Sequence, residues 1–294
     1  MENDNKDLMK LIQERFSKLS KGQKLIAEYI LNNYDKAAFM TAAKLGVAVG
    51  VSESTVVRFA NELNFSGYPK LQKALQELIK NKLTTVQRLE LSNDFVSDGD
   101  ALKGVLKADT ENIRATLEKI NPDIFENVVN SIYKAKTIYV IGLRSSTALA
   151  EFLGFYLNII LKNVRIVSYG ISDIFEQVIN IKEGDLVIGI GFPRYAAKTI
   201  DILDFAKSKG AEVVALTDSL LSPLAAKADY TLIAQSNMAS FVDSLVAPLS
   251  VINALIIAIG MREKSNISNT FNNLETIWKE YNVYSYNNKI ISDN

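Results

Sequence analysis

Thr137-Ile138-Tyr139-Val140-Ile141-Gly142-Leu143-Arg144-Ser145-Ser146-Thr147 is the stretch at which this sequence changes character. Thr137 to Ile141 is a β-branched and aromatic run, and Gly142 starts a turn. Ser145-Ser146-Thr147 then opens an apolar helical stretch carrying Leu149, Phe152, Leu153 and Tyr156. A strand apolar on both faces and followed at once by a helix is half of a strand–helix–strand unit in a parallel sheet. Further runs at Val164 to Ser168, Leu186 to Ile190, Val213 to Thr217 and Tyr230 to Ala234, spaced by helix-length segments, extend the pattern. Together they predict an α/β domain with a five-stranded parallel sheet flanked by helices.

Upstream of Thr137 no strand pattern appears, and the first segment reads as all-α. Ser20-Lys21-Gly22-Gln23 is a capping box, in which serine and glutamine side chains satisfy each other's orphan backbone donors. Leu25, Ile26, Tyr29 and Ile30 follow at helical spacing. An amphipathic stretch runs from about Tyr68 to Lys82, with Leu71, Leu75, Leu78 and Ile79 on one side. From Leu83 to about Lys103 the periodicity weakens and Ser, Asn, Asp and Gly cluster, the composition of a linker, although Val86 to Leu91 is open to a helical continuation. Helical patterning resumes near Val105. Asn121-Pro122 then marks a helix start, with asparagine as N-cap and proline at the first position.

A chain of 294 residues has room for about two domains. It contains no cysteine and no histidine, which removes disulfides, thiolate nucleophiles, cysteine-ligated zinc, and the commonest general base and metal ligand. Lys+Arg and Asp+Glu balance at 33 each, but up to Lys82 the counts are 13 against 9. The first segment is therefore 13 − 9 = +4 and the remainder 20 − 24 = −4. A basic small domain ahead of an acidic larger one suggests that only the first meets a polyanion. The start, Met1-Glu2-Asn3-Asp4, is polar and acidic, without a signal-peptide core. The most apolar stretch, Phe241 to Met261, is interrupted by Asp243, Ser244, Pro248, Ser250 and Asn253. Such a stretch fits a buried helix or a dimer face better than a membrane span, so a cytoplasmic protein with no membrane partner is expected.

Within Ala42 to Phe59 the pattern is that of a helix-turn-helix, where two short helices cross over a shared core through a tight turn. Leu45, Val49, Val51, Val56 and Phe59 fall at the inward positions, and Gly50 sits where the turn demands positive φ. Thr41 and Ser52 are placed to cap the two helices. The second helix then presents Ser52, Glu53, Ser54, Thr55 and Arg58 to a major groove, where hydroxyls contact several bases and arginine favours guanine. Lys44, Lys70 and Lys73 are the candidate phosphate contacts. The competing reading is a structural helical hairpin whose charges form a solvated face.

In the second half, Gly142, Arg144, Ser145, Ser146 and Thr147 form a candidate anion site. Hydroxyls, backbone N–H groups and a guanidinium meet there at a helix N-terminus beyond a strand's carboxyl end. The bland alternative is that Ser145 and Ser146 cap the helix and Arg144 is solvated. The stretch lacks the glycine spacings of a dinucleotide fingerprint and of a P-loop, so no cofactor is expected.

The chain resembles the RpiR family of bacterial transcriptional regulators. The resemblance rests on Leu19 to Ile30, Gly50 to Phe59 and Asn64-Phe65-Ser66-Gly67-Tyr68, and in the second half on Ile138 to Ser146, Gly210 to Asp218 and Ser222-Pro223-Leu224-Ala225. It implies an N-terminal helix-turn-helix domain followed by a SIS domain, a sugar-isomerase-like α/β fold that binds sugar phosphates. The implied organisation is a DNA-binding domain at 1–82 with its motif at about 41–63, a linker and connecting helix at 83–120, the SIS domain at 121–284 and a tail at 285–294. One loop departs from the family's commoner serine-rich phosphate loop: Gly189-Ile190-Gly191-Phe192-Pro193-Arg194-Tyr195 loses hydroxyls and gains Pro193 and Arg194. Arg194, with Lys198 and Thr199 following, can supply a charge-assisted fork instead, or can pair with Asp201 or Asp204. Asp218 and Ser219 either face sugar hydroxyls or form a turn.

The function expected is a transcriptional regulator of carbohydrate metabolism. Its partners are double-stranded DNA with a palindromic operator, a phosphorylated sugar effector, and a second copy in a homodimer or homotetramer. The alternative is a sugar-phosphate isomerase on the same fold, with Glu151 or Glu176 as the carboxylate. That chemistry commonly pairs Glu with His, which the chain lacks. A pure interaction protein is the third reading.

Overall fold

A computed structural model describes residues 4–79, 84–86, 88, 101–170, 172–238 and 241–284. The chain splits into two compact units, Met1–Asp100 and Ala101–Asn294. The linker expected over 83–103 and the tail at 285–294 lie largely outside the described residues, as do Lys80 and Lys82.

In the first unit the order is α1 (Asp4–Arg15), α2 (Lys21–Asn32), α3 (Tyr34–Ala37), α4 (Ala42–Val49), α5 (Glu53–Glu62) and α6 (Tyr68–Ile79). The Ser20–Gln23 capping box opens α2 as the sequence predicts, with Ser20 N–H donating to Gln23 Oε1 at 2.9 Å. Leu8 and Ile12 of α1, Ile26 and Ile30 of α2, Leu45, Val56, Phe59 and Leu63, with Leu71, Leu75 and Ile79 of α6, form the buried core. Removing surface of this size from water is the main stabilising term for so small a unit. Polar ties supplement it: the Tyr68 hydroxyl donates to Met40 O at 2.7 Å and the Gln72 amide donates to the same carbonyl at 2.9 Å. Burial pushes the Tyr68 pKa well above its ordinary value.

The second unit runs α7 (Ala101–Lys119), α8 (Pro122–Lys134), β1 (Ile138–Gly142), α9 (Thr147–Ile160), β2 (Val164–Val167), α10 (Ile174–Gln177), β3 (Leu186–Ile190), α11 (Ala197–Ser208), β4 (Glu212–Thr217), β5 (Tyr230–Ile233), α12 (Val246–Arg262) and α13 (Lys264–Glu280). Asn121 caps α8 with Pro122 at its first turn. All five strands are parallel in the order β2-β1-β3-β4-β5, with Gly142 opposite Ile190 in the β1–β3 register. Strand side chains alternate between two cores. Ile138, Val140, Leu186, Ile188 and Val214 pack with α8, α9 and α12, whereas Tyr139, Ile141, Val187, Val213 and Ala215 pack with α10 and α11. Burial on both faces is why these strands read as unbroken apolar runs.

The sequence places α7 in a connector at 83–120; the structure joins it to the second unit, with Asn112 and Thr116 buried. Its inward face is polar, so apolar periodicity did not announce the packing. The apolar stretch around 241–261 forms α12, whose Ala247, Val251, Ile252, Leu255 and Ile259 are buried. No single helix among the described residues is long and apolar enough to cross a membrane.

Candidate functional site

Two places gather the residues singled out from sequence, one in each unit. In the first, Thr41 Oγ1 accepts from Lys44 N–H at 3.2 Å and caps α4, while Ser52 Oγ accepts from Thr55 N–H at 3.3 Å and caps α5. Gly50 ends α4 in the left-handed region at φ 73°, the conformation the turn requires. Leu45, Val56 and Phe59 are fully buried, while Val49 and Val51 are only half-buried because they sit at the rim of the turn.

A further requirement was not read from sequence. A Cβ on Gly46 would come within 2.8 Å of Val51 O, so only glycine lets the turn approach α4 this closely. The far end of α5 is held by Arg15, whose guanidinium donates to Glu62 O at 2.7 Å, a cation on the negative pole of the helix.

Glu53, Ser54 and Arg58 are exposed on α5, Thr55 is half-buried, and Ser52 is exposed at its start. The hydroxyls are not independent: Ser52 Oγ lies 2.9 Å from both Ser54 Oγ and Thr55 Oγ1. Ser52 therefore serves the cap first. Val57 and Asn61, which the helix-turn-helix pattern does not single out, are exposed on α5 like Arg58. An exposed valine there is the signal that was available, since its methyls match a thymine methyl. Lys44 of α4 and Lys70 and Lys73 of α6 are exposed.

The second place is the carboxyl edge of the sheet. With strand order 2-1-3-4-5, the chain leaves β1 and β3 in opposite senses along the sheet, and the crevice between their ends is the topological switch point. Gly142, Arg144, Ser145, Ser146 and Thr147 occupy the β1 side. A Cβ on Gly142 would meet Ser146 O at 2.6 Å, so glycine is what allows the Arg144–Ser146 turn of 3-10 helix to fold back on the strand end. Arg144 holds φ at +60° and is exposed, Ser145 is exposed, Thr147 is half-buried and Ser146 is buried. Ser146 makes no side-chain capping bond to α9, so the purely capping alternative is not what this turn adopts.

Across the crevice, Gly191 to Ala196 leads from β3 into α11. Arg194 repeats the left-handed backbone at φ +66°, an uncommon state for a residue with a side chain and one that clusters at ligand sites. Ala196 gives α11 no side-chain cap, so both helices facing the switch point begin with backbone donors uncovered by a cap. Thr199, in the first turn of α11, is buried with its hydroxyl unpartnered among the described residues. Lys198 is exposed, with its ammonium 5.0 Å from the Phe175 ring. Of the two acids considered as partners for Arg194, Asp204 pairs with Lys227.

Asp218, at the end of β4, is buried and accepts from the Tyr195 hydroxyl at 2.7 Å. It thus bridges the β3 and β4 loops rather than standing open to solvent. Ser219 Oγ accepts from Leu221 N–H, the turn-forming role. No group of three or more metal-ligating side chains occurs among the described residues.

Residues 6–82 match the helix-turn-helix domain of the rpiR family and residues 131–258 match the SIS domain. An Escherichia coli relative, the helix-turn-helix-type transcriptional regulator HexR, is 26% identical over 291 residues, covering 93% of this chain and 95% of its own. HexR of Pseudomonas aeruginosa is 25% identical over 270 residues, with 87% and 90% covered. Among solved structures, the sugar isomerase domain of an RpiR transcription factor from Sphaerobacter thermophilus is 30% identical with a TM-score of 0.58, covering 60% of this chain and 99% of that one. The NanR protein of Vibrio vulnificus, solved with ManNAc-6P, has the same fold over 92% of this chain and 98% of its own, at 20% identity and a TM-score of 0.55.

Proposed function

The chain belongs to the RpiR family of helix-turn-helix transcriptional regulators with a SIS domain, and we propose that this regulator senses a phosphorylated sugar and adjusts operator binding in response. The observation that carries the reading is the pair of left-handed arginines, Arg144 and Arg194, flanking the β1–β3 switch point beside two uncapped helix N-termini. Helix dipoles, backbone N–H groups and guanidinium forks all favour a phosphate dianion there. The departure from a serine-rich loop is thereby compensated: Arg194 brings charge where hydroxyls are missing. The sugar phosphate of the NanR complex supports the ligand class.

On DNA, Ser54, Val57, Arg58 and Asn61 of α5 meet base edges while Lys44, Lys70 and Lys73 hold phosphates. A homodimer or homotetramer in the cytoplasm presents two such helices to a palindromic operator in the control region of carbohydrate genes.

Sensing without conversion is the better account of the crevice. Interconverting an aldose and a ketose needs a positioned proton shuttle; Glu151 and Glu176 are both exposed, and the chain has no histidine. A thermal-shift panel of sugar phosphates, run beside the phosphate-free sugars, tests the reading. A phosphorylated member must stabilise the protein and change its affinity for operator DNA, and turnover of that compound would refute it.

A further inference from the structure

Helix α7 packs on the second unit in an unusual way. Leu102 and Leu117 are 71% and 75% exposed, Leu106 and Ile113 are exposed as well, and the buried side is polar. Asp109, Asn112 and Thr116 all bond to the chain that follows β5. The Asn112 amide donates to Asn237 O at 2.9 Å while Asn237 N–H donates back to Asn112 Oδ1 at 3.0 Å. Gln235 N–H donates to Thr116 Oγ1 at 2.8 Å, Thr116 in turn donates to Asn112 O, and Ser244 Oγ donates to Asp109 at 2.6 Å.

Those bonds continue toward the crevice. The Gln235 side-chain amide donates to Asp218 O at 3.0 Å, and the Asp218 carboxylate accepts from the Tyr195 hydroxyl. Tyr195 follows Arg194, the left-handed residue of the β3 loop. Asn112, Thr116, Asp218 and Gln235 are all buried, and so is Ser236, whose hydroxyl has no hydrogen-bond partner among the described residues.

We propose that the bonded series Tyr195–Asp218–Gln235–Thr116 transmits the state of the anion crevice to α7, the first helix of the sensor unit and the element directly downstream of the DNA-binding unit in sequence. Apolar packing is non-directional and tolerates sliding, whereas hydrogen bonds of fixed geometry are made or lost. A helix held by them has discrete registers, which coupling between sites requires. An anion drawn to Arg194 displaces Tyr195, Asp218 and Gln235 follow, and α7 shifts against the segment 235–237. The proposal rests on reading the crevice as the effector site.

Hydrogen exchange on the full chain tests it, first without ligand. Tyr195→Phe removes one hydroxyl, and peptides spanning 108–119 are expected to exchange several-fold faster while 149–160 in α9 does not change. Thr116→Val is expected to raise the same α7 peptides, and the double variant to add little beyond either alone. Strictly local effects, or full additivity, overturn the relay. With inorganic phosphate as the probe, the wild type is expected to change exchange in both 191–196 and 108–119, and Thr116→Val only in 191–196. A phosphate response of α7 that survives Thr116→Val also overturns the relay. Absence of any phosphate response in 191–196 counts against the crevice as an anion site, and the ligand-free comparison still decides the series.

Discussion

Gly142→Ala puts the crevice to its sharpest test. The added Cβ would lie 2.6 Å from Ser146 O, 3.1 Å from the carbonyl carbon and 3.2 Å from Ala150 Cβ. Gly142 does not use positive φ, so the obstacle is space and not conformation. Ordinary contact needs roughly 3.5 Å, so the turn must retreat from the closest contact by roughly 0.9 Å. Overpacking of this kind costs about 1–3 kcal/mol, and the stiffer unfolded chain returns about 0.4–1 kcal/mol. The net, about 1–2 kcal/mol, lowers the melting temperature of a unit this size by roughly 2–8 °C. The displaced backbone is the same turn proposed to offer donors to the anion, so affinity for a stabilising sugar phosphate is expected to fall about tenfold or more, equivalent to about 1.4 kcal/mol. Differential scanning calorimetry of the full chain, with and without that sugar phosphate, reads both effects on the second unit's transition. Gly170→Ala is the control, because a Cβ there meets nothing within 4 Å. Should Gly142→Ala melt with the wild type and keep its full ligand shift, the role given to this turn is wrong.

In the first unit, the raised pKa of Tyr68 makes stability pH-dependent: the contribution is present below the ordinary tyrosine value and is lost as pH climbs above about 10 toward the folded value. Tyr68→Phe, which forfeits the bond to Met40 O at a cost of about 1 kcal/mol, is expected to flatten the alkaline limb of a denaturation series. Arg58→Ala is expected to cost about 1–3 kcal/mol of specific operator binding and relax preference at one base pair, measured by fluorescence anisotropy. Lys70→Ala is expected to weaken all sequences alike and lower the salt slope by about one; a change in sequence preference instead would reassign that lysine. Ser146→Ala is expected to leave stability within about 0.5 kcal/mol, since the hydroxyl caps nothing, yet to reduce the sugar-phosphate thermal shift. Loss of fold without loss of that shift would reverse the assignment.

Much of this was legible from residues alone where the cause is local. Ser20 with Gln23, Thr41, Ser52 and Asn121 are capping signals whose partners lie two or three residues away, and each side chain caps its helix in the structure. The strands were legible because burial on both faces writes a continuous apolar run, and Leu186 to Ile190 matches its strand without a residue's error. Gly46 was not, since nothing nearby reports that Val51 O returns to within 2.8 Å of it.

By itself, then, the sequence determined a helical basic unit ahead of a parallel α/β unit, with arginines and hydroxyls in the loops after the first and third strands. Only the tertiary structure decided that those loops meet at the switch point, because strand order comes from long-range pairing that local pattern does not encode. It also decided that Asp218 bonds Tyr195 and that α7 is bound to the rest of the second unit through its polar side. Hydrogen bonds between residues more than a hundred positions apart leave no period in a sequence, whereas the burial of a strand or a helix face does.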